Sequence, residues 1–229
     1  MTDARTDPGA WTLPNLLTYF RVAAAPMAAI AFAAFERPFA DQLALALFIV
    51  AAATDYLDGW LARRWDQVSA LGRMLDPIAD KAMVITALAV ILALRGPDPL
   101  FLLPAAAILL RETMVSGLRE ALAGKVVIHV TMLAKWKTTV QMAALGLLLA
   151  AGWAQQERDF RFWELPPDVY EGMLSGALPD RFDVVMWERL ATGLEWGGIA
   201  CLWIAALLTV WTGAEYLAKG IAALREGGN

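Results

Sequence analysis

Asp55 and Asp58 stand three residues apart, and Asp76 and Asp80 follow with a spacing of four. On an α-helix either spacing places both carboxylates on one face. Four carboxylates gathered in a medium of low dielectric repel one another until they take up protons or share a cation. Hard oxygen ligands with no Cys or His among them suit Mg²⁺, Mn²⁺ or Ca²⁺. Four of them can hold two ions, the arrangement that neutralises a diphosphate and activates a nucleophile. Gly59 lies one turn beyond Asp55 and Ala62 one turn beyond Asp58, so a bulky ligand has room on the aspartate face. Arg63 adds a forked donor for phosphate oxygens. Gly and Ala equally suit helix packing in a membrane, and Asp76 before Pro77 also reads as a helix N-cap. Packing and caps do not account for the whole set.

The elements that must position these groups follow from composition. The 229 residues are 59% hydrophobic and include ten Trp. Several apolar runs approach the ~20 residues that a helix needs to cross a bilayer core. The alternating short strands of a β-barrel are not seen. The expected fold is therefore all-α, a polytopic membrane protein with six transmembrane helices at about 13–35, 42–65, 75–95, 99–122, 132–153 and 194–218. The whole chain, 1–229, reads as one membrane domain, with 154–193 a long extracytoplasmic loop.

Basic residues choose the orientation. Arg5, Arg63, Arg64, Arg73, Lys125, Lys219 and Arg225 collect on one side, while Arg37, Arg95, Arg158, Arg161, Arg181 and Arg189 lie on the other among more acids. The positive-inside rule then puts both termini in the cytoplasm. With that alternation, the polar residues of five helices fall in the cytoplasmic half: Asn15, Thr18 and Arg21; the two aspartate pairs; Arg111, Glu112 and Arg119; and Lys135 with Lys137. Charges at membrane depth are costly and face a bundle interior or a watery cavity. Snorkelling to the headgroups covers Arg63, Arg64 and Lys137, but aspartates are too short for it. A polar cytoplasmic-side cavity is expected. A net charge of −4 and a pI near 5.1 argue against nucleic acid as a partner.

The run Asp55-x2-Asp58-Gly59-x2-Ala62-Arg63-x8-Gly72-x3-Asp76-x3-Asp80 resembles the signature of the CDP-alcohol phosphotransferases at every one of its eight fixed positions. That resemblance implies a six-helix enzyme moving a phosphate-bearing group from a CDP-alcohol to an acceptor alcohol, with release of CMP. It implies Asp55, Asp58, Asp76 and Asp80 as ligands of two Mg²⁺ or Mn²⁺ ions, and Asp80 also as the general base. Gly59, Ala62 and Arg63, with Ser69 and the first-helix residues Thr18 and Arg21, are the implied contacts to the donor, CDP-diacylglycerol.

The stretches "LPNLLTYFRVAAAP", "DPIADK", "RETMVSGLRE" and "AKWKTTVQM" look like the phosphatidylglycerophosphate synthases of bacteria, so the resemblance covers roughly 13–142 and departs at 154–193. It implies glycerol 3-phosphate as acceptor, a place in the bacterial inner membrane with the site cytoplasmic, and allows a homodimer. The residues agree on the acceptor. Arg111, Arg119, Lys135 and Lys137 supply cations that a phosphorylated acceptor needs and serine or choline does not. Arg111 paired structurally with Glu112 is the plainer alternative, and inositol phosphate is the rival acceptor. From another class, a cation transporter would also carry intramembrane aspartates, but the outer halves "LALALFIVAAA" and "MVITALAVILAL" offer no ion path onward. A catalytically idle scaffold is a further alternative, opposed by the intact aspartate set.

Overall fold

The computed structural model describes residues 11–65, 69–121 and 132–226, and every regular element among them is a helix. In chain order these are α1 (Leu13–Ala34), α2 (Phe39–Arg64), α3 (Ala70–Arg95), α4 (Pro99–Ala121), α5 (Met132–Phe162), α6 (Pro167–Leu174) and α7 (Val184–Glu226). They form two compact units, one running to Ile91 and including Leu149–Gly193, the other made of Leu92–Leu148 and the chain from Leu194. Among the described residues, five helices are long and apolar enough to cross a membrane: α1, α2, α3, the Pro99–Leu118 part of α4 and the Val184–Ile221 part of α7. The other long helix, α5, is not among them, since Gln141 interrupts its apolar stretch and Gln155, Gln156 and Glu157 follow it.

In the first unit, α1 begins at Thr12, whose hydroxyl accepts from the Asn15 amide at 3.4 Å, with proline in the first turn. Its buried residues Asn15, Thr18, Arg21, Ala24, Ala25 and Ala31 recur at helical spacing and define one inward stripe. The alanines of that stripe pack with the buried Ala44 and Ala51 of α2. Small side chains let the two backbones approach closely, as membrane helices require. That approach is what brings a polar stripe on α1 within reach of the α2 aspartates.

The beginning of α3 corrects the expected boundary of 75. Ser69, buried, accepts from the Gly72 amide at 2.9 Å and starts the helix at Ala70. Asp76 and Pro77 thus lie inside α3, and the N-cap alternative for Asp76 is not realised.

The segment 154–193 also differs from the expected loop. Helix α5 runs on to Phe162 instead of ending near 153, α6 occupies Pro167–Leu174, and α7 begins at Val184 instead of 194. Apolarity marks where a chain can meet lipid, but a helix continues as long as its backbone bonds and side-chain pairs favour it. Here Glu157 and Arg161 form an i,i+4 pair at 2.8 Å. Arg158 and the Tyr170 hydroxyl both donate to Glu188, at 2.8 and 2.9 Å, tying α5, α6 and α7 together. Arg161 lies over the Trp187 ring at 5.0 Å. Glu188 and burial together raise the Tyr170 phenol to about 12, burial being the larger cause.

The second unit holds α4 to α7 by ties of its own. Arg95 pairs with Glu195 at 2.5 Å, and the Trp203 indole donates to the Leu100 carbonyl at 2.9 Å.

Candidate active site

In the first unit the four aspartates converge on Arg21. Its guanidinium is 0% exposed, and each amino nitrogen gathers one carboxylate from α2 and one from α3. Nη1 donates to Asp55 Oδ1 and, at 2.7 Å, to Asp80 Oδ1. Nη2 donates to Asp58 Oδ2 at 2.7 Å and to Asp76 Oδ1 at 3.0 Å. The sequence paired these residues within a helix; the structure pairs them across helices. Asp58 is buried, while Asp55, Asp76 and Asp80 are about half exposed, so the cluster has an open side. A fully buried guanidinium is tolerated only with such partners, and leaving it uncompensated would cost ~3–5 kcal/mol.

Thr18, one turn before Arg21, has its hydroxyl 3.0 Å from Asp76 Oδ1 and 3.4 Å from Asp58 Oδ2. Ser69 donates to Asn15 Oδ1 at 2.8 Å, which joins the start of α3 to α1. Gly72 is needed at this junction. A Cβ there would lie 2.8 Å from Asn15 Oδ1 and 3.2 Å from the Ser69 hydroxyl, so a side chain would have to displace the Asn15 amide. A cleft opens here, lined by Thr18, Asp58, Gly59, Ala62, Gly72 and Asp76 among others. Arg63 folds back over Gly59, with its guanidinium 3.6 Å from where a Cβ would stand. Of the donor contacts expected from the sequence, Thr18, Gly59, Ala62 and Ser69 line this cleft together, and its arginine is Arg73. Arg63 lies against Gly59, and Arg21 sits in the acidic cluster.

The second unit holds the candidate acceptor cations. Arg111 donates to Glu112 at 3.1 Å and to the Thr212 hydroxyl at 3.4 Å. Lys137, buried, also donates to Glu112. Glycine at 213 lets the Arg111 stem lie against α7, where a Cβ would come within 2.8 Å of it. The Arg111–Glu112 pair weighed in the sequence is therefore formed, and Lys137 shares the same carboxylate. The side chains of Arg119 and Lys135 lie outside the described residues, as do Arg5 and Lys125. Glu112 is the residue the sequence reading underused: it adjoins Arg111, but its bond to a lysine on another helix leaves no local signal.

Residues 11–212 match the family of CDP-alcohol phosphatidyltransferases. The chain belongs to that family. Among curated relatives, a protein of Cereibacter sphaeroides is 45% identical, over 94% of this chain and 98% of its own. One of Pectobacterium atrosepticum is 38% identical, over 90% of this chain and 93% of its own. One of Escherichia coli strain K12 is 35% identical, over 94% and 98% respectively. Each is named CDP-diacylglycerol–glycerol-3-phosphate 3-phosphatidyltransferase.

For a CDP-alcohol phosphatidyltransferase the acidic cluster has the chemistry to hold divalent ions. Its donors are four carboxylates, hard oxygens of the kind Mg²⁺ and Mn²⁺ prefer, and Arg21 sets one positive charge against them. The spacing is arranged around the guanidinium. Among the described residues no three acidic, Cys or His side chains converge on a point that an ion could occupy as they stand. The donor set fits, and Arg21 has the seat.

Proposed function

We propose that the chain transfers a phosphatidyl group from CDP-diacylglycerol to sn-glycerol 3-phosphate, giving phosphatidylglycerophosphate and CMP. The observation that carries this reading is near end-to-end similarity to relatives bearing that activity in their names. The motif aspartates, brought to one point from α2 and α3, support it. In this proposal the protein is one catalytic domain crossing the bacterial inner membrane six times. Helix α5 is the sixth span, and both termini and the site lie on the cytoplasmic side.

Asp55, Asp58, Asp76 and Asp80 would hold two Mg²⁺ or Mn²⁺ ions, which when bound neutralise the donor diphosphate and the charge on departing CMP. Gly59 and Ala62 leave room for the nucleotide, and Arg63 gives its fork to phosphate oxygens. Asp80 accepts the proton of the acceptor hydroxyl as that oxygen bonds to the phosphorus bearing the lipid and the bond to CMP breaks. Arg111, Arg119, Lys135 and Lys137 hold the acceptor phosphate, with Glu112 keeping two of these cations together.

The deciding experiment offers purified protein CDP-diacylglycerol with glycerol 3-phosphate, inositol phosphate, serine or no acceptor, and measures CMP. Release is expected with glycerol 3-phosphate; preference for inositol phosphate would overturn the acceptor and keep the reaction class. A second measurement concerns Lys137→Ala. A lost charge-assisted contact is worth ~1.5–3 kcal/mol, so the KM for glycerol 3-phosphate should rise about 10- to 100-fold. The KM for CDP-diacylglycerol should change much less, because Arg63 and the aspartate site hold that substrate. Equal weakening of both would make the Lys137–Glu112 pair purely structural.

A further inference from the structure

The position of Arg21 has a consequence for how the acidic cluster takes up ions. Its two amino nitrogens lie within 3.0 Å of one oxygen from each of four carboxylates, two to a nitrogen. An ion held by these carboxylates would sit about 2.1 Å from their oxygens. It would then be pressed against a guanidinium of like charge already in hydrogen-bond contact with the same atoms. An ion that takes the oxygens Arg21 now engages must compete with the guanidinium for them.

The fit of Arg21 is also incomplete. Its Nε is buried and has no hydrogen-bond partner among the described residues. Buried donors are almost always paired, so an orphan marks a group held by its charge more than by its full bonding geometry. A cation that leaves one donor unsatisfied is easier to displace than one fully bonded. Among the described residues, Asp55, Asp76 and Asp80 are about half exposed, which gives an approaching ion access to them.

We infer that Arg21 is the resident counter-ion of the aspartate cluster, and that divalent ions enter by displacing its guanidinium from the carboxylates. The inference rests on the proposed metal role of Asp55, Asp58, Asp76 and Asp80. Arg21 then holds the four carboxylates together while no ion is bound, and lowers the site's apparent metal affinity because each ion must compete with it.

The test measures binding, apart from turnover. Detergent-purified wild type and Arg21→Gln are stripped with EDTA, exchanged, and titrated with Mn²⁺. Bound ion is read from loss of the free-Mn²⁺ EPR signal, and the Tm is followed with and without Mn²⁺. Arg21→Gln is expected to bind Mn²⁺ at least ~10-fold more tightly, to melt lower without the ion, and to gain more Tm on adding it. Unchanged or weaker binding in a folded Arg21→Gln protein would overturn the inference while leaving the metal site standing. No Mn²⁺ binding by either protein would remove the metal reading itself and this inference with it. Should Arg21→Gln fail to fold with or without Mn²⁺, Arg21→Lys carries the test. It keeps the charge but loses the planar fork that spans four carboxylates, so Mn²⁺ binding several-fold tighter than wild type is expected, and equal binding would overturn the inference.

Discussion

Excess EDTA is expected to abolish CMP release, and Mg²⁺ or Mn²⁺ to restore it. Charge decides this outcome. Among the described residues, four carboxylates converge on the Arg21 guanidinium, whose single positive charge is fewer than theirs. A diphosphate brought alongside adds like charge to like. At about 4 Å each such pair costs ~1 kcal/mol in water and ~4 kcal/mol at an effective dielectric of ~20. Several pairs act at once, and one fork from Arg63 does not offset them. Without divalent ions the donor is repelled by the residues meant to receive it. The assay follows CMP from CDP-diacylglycerol and glycerol 3-phosphate before chelation, in EDTA, and after adding back each ion. The same preparation must stay folded throughout, since Arg21 is there to hold the cluster together without metal. Full turnover in excess EDTA would mean that the aspartates serve some purpose other than holding ions.

The acidic cluster was legible because its signals are local. The spacings of Asp55 with Asp58 and of Asp76 with Asp80 place each pair on a helix face whatever the rest of the chain does. Helices α2 and α3 follow one another closely in sequence, which makes the two faces neighbours. The partners of those carboxylates were less legible. Arg21 is on the same stripe as Asn15 and Thr18, as its spacing says, but a stripe does not reveal which atoms it meets. Two kinds of partner, nucleotide phosphate and carboxylate, both suit a guanidinium. The bond from Lys137 to Glu112 joins residues on different helices, and no periodicity encodes it. Helix ends failed where apolarity stood in for helicity. Gln155, Gln156, Glu157, Arg158 and Arg161 are too polar for lipid yet good helix formers, so α5 continues past the apolar stretch. Ser69 reads from the sequence as a donor contact, and its hydroxyl, accepting from the Gly72 amide, also marks the start of α3.

Asp80→Asn should lose at least ~10²-fold in turnover, the lower range of what a general base contributes. The substitution is chosen for what it preserves. Asparagine has the same size, and its carbonyl oxygen can still accept the bond from Arg21 Nη1 that Asp80 Oδ1 accepts at 2.7 Å. The fold and the Arg21 contact therefore survive, and what disappears is one charge and the only basic oxygen in the proposed mechanism. Two losses are then combined, a ligand and a base, and Asp76→Asn separates them. Asp76 also bonds Arg21, at 3.0 Å, and is half exposed like Asp80, but in this mechanism it is a ligand alone. Raising Mg²⁺ or Mn²⁺ should recover much of the Asp76→Asn activity, because a weakened site refills by mass action. The same excess should leave Asp80→Asn low, since no concentration of ion restores a proton acceptor. The acid limb of kcat/KM should also move or vanish in Asp80→Asn and persist in Asp76→Asn. If both variants recover alike with metal, Asp80 is a ligand like the other three, and the acceptor proton leaves by another route.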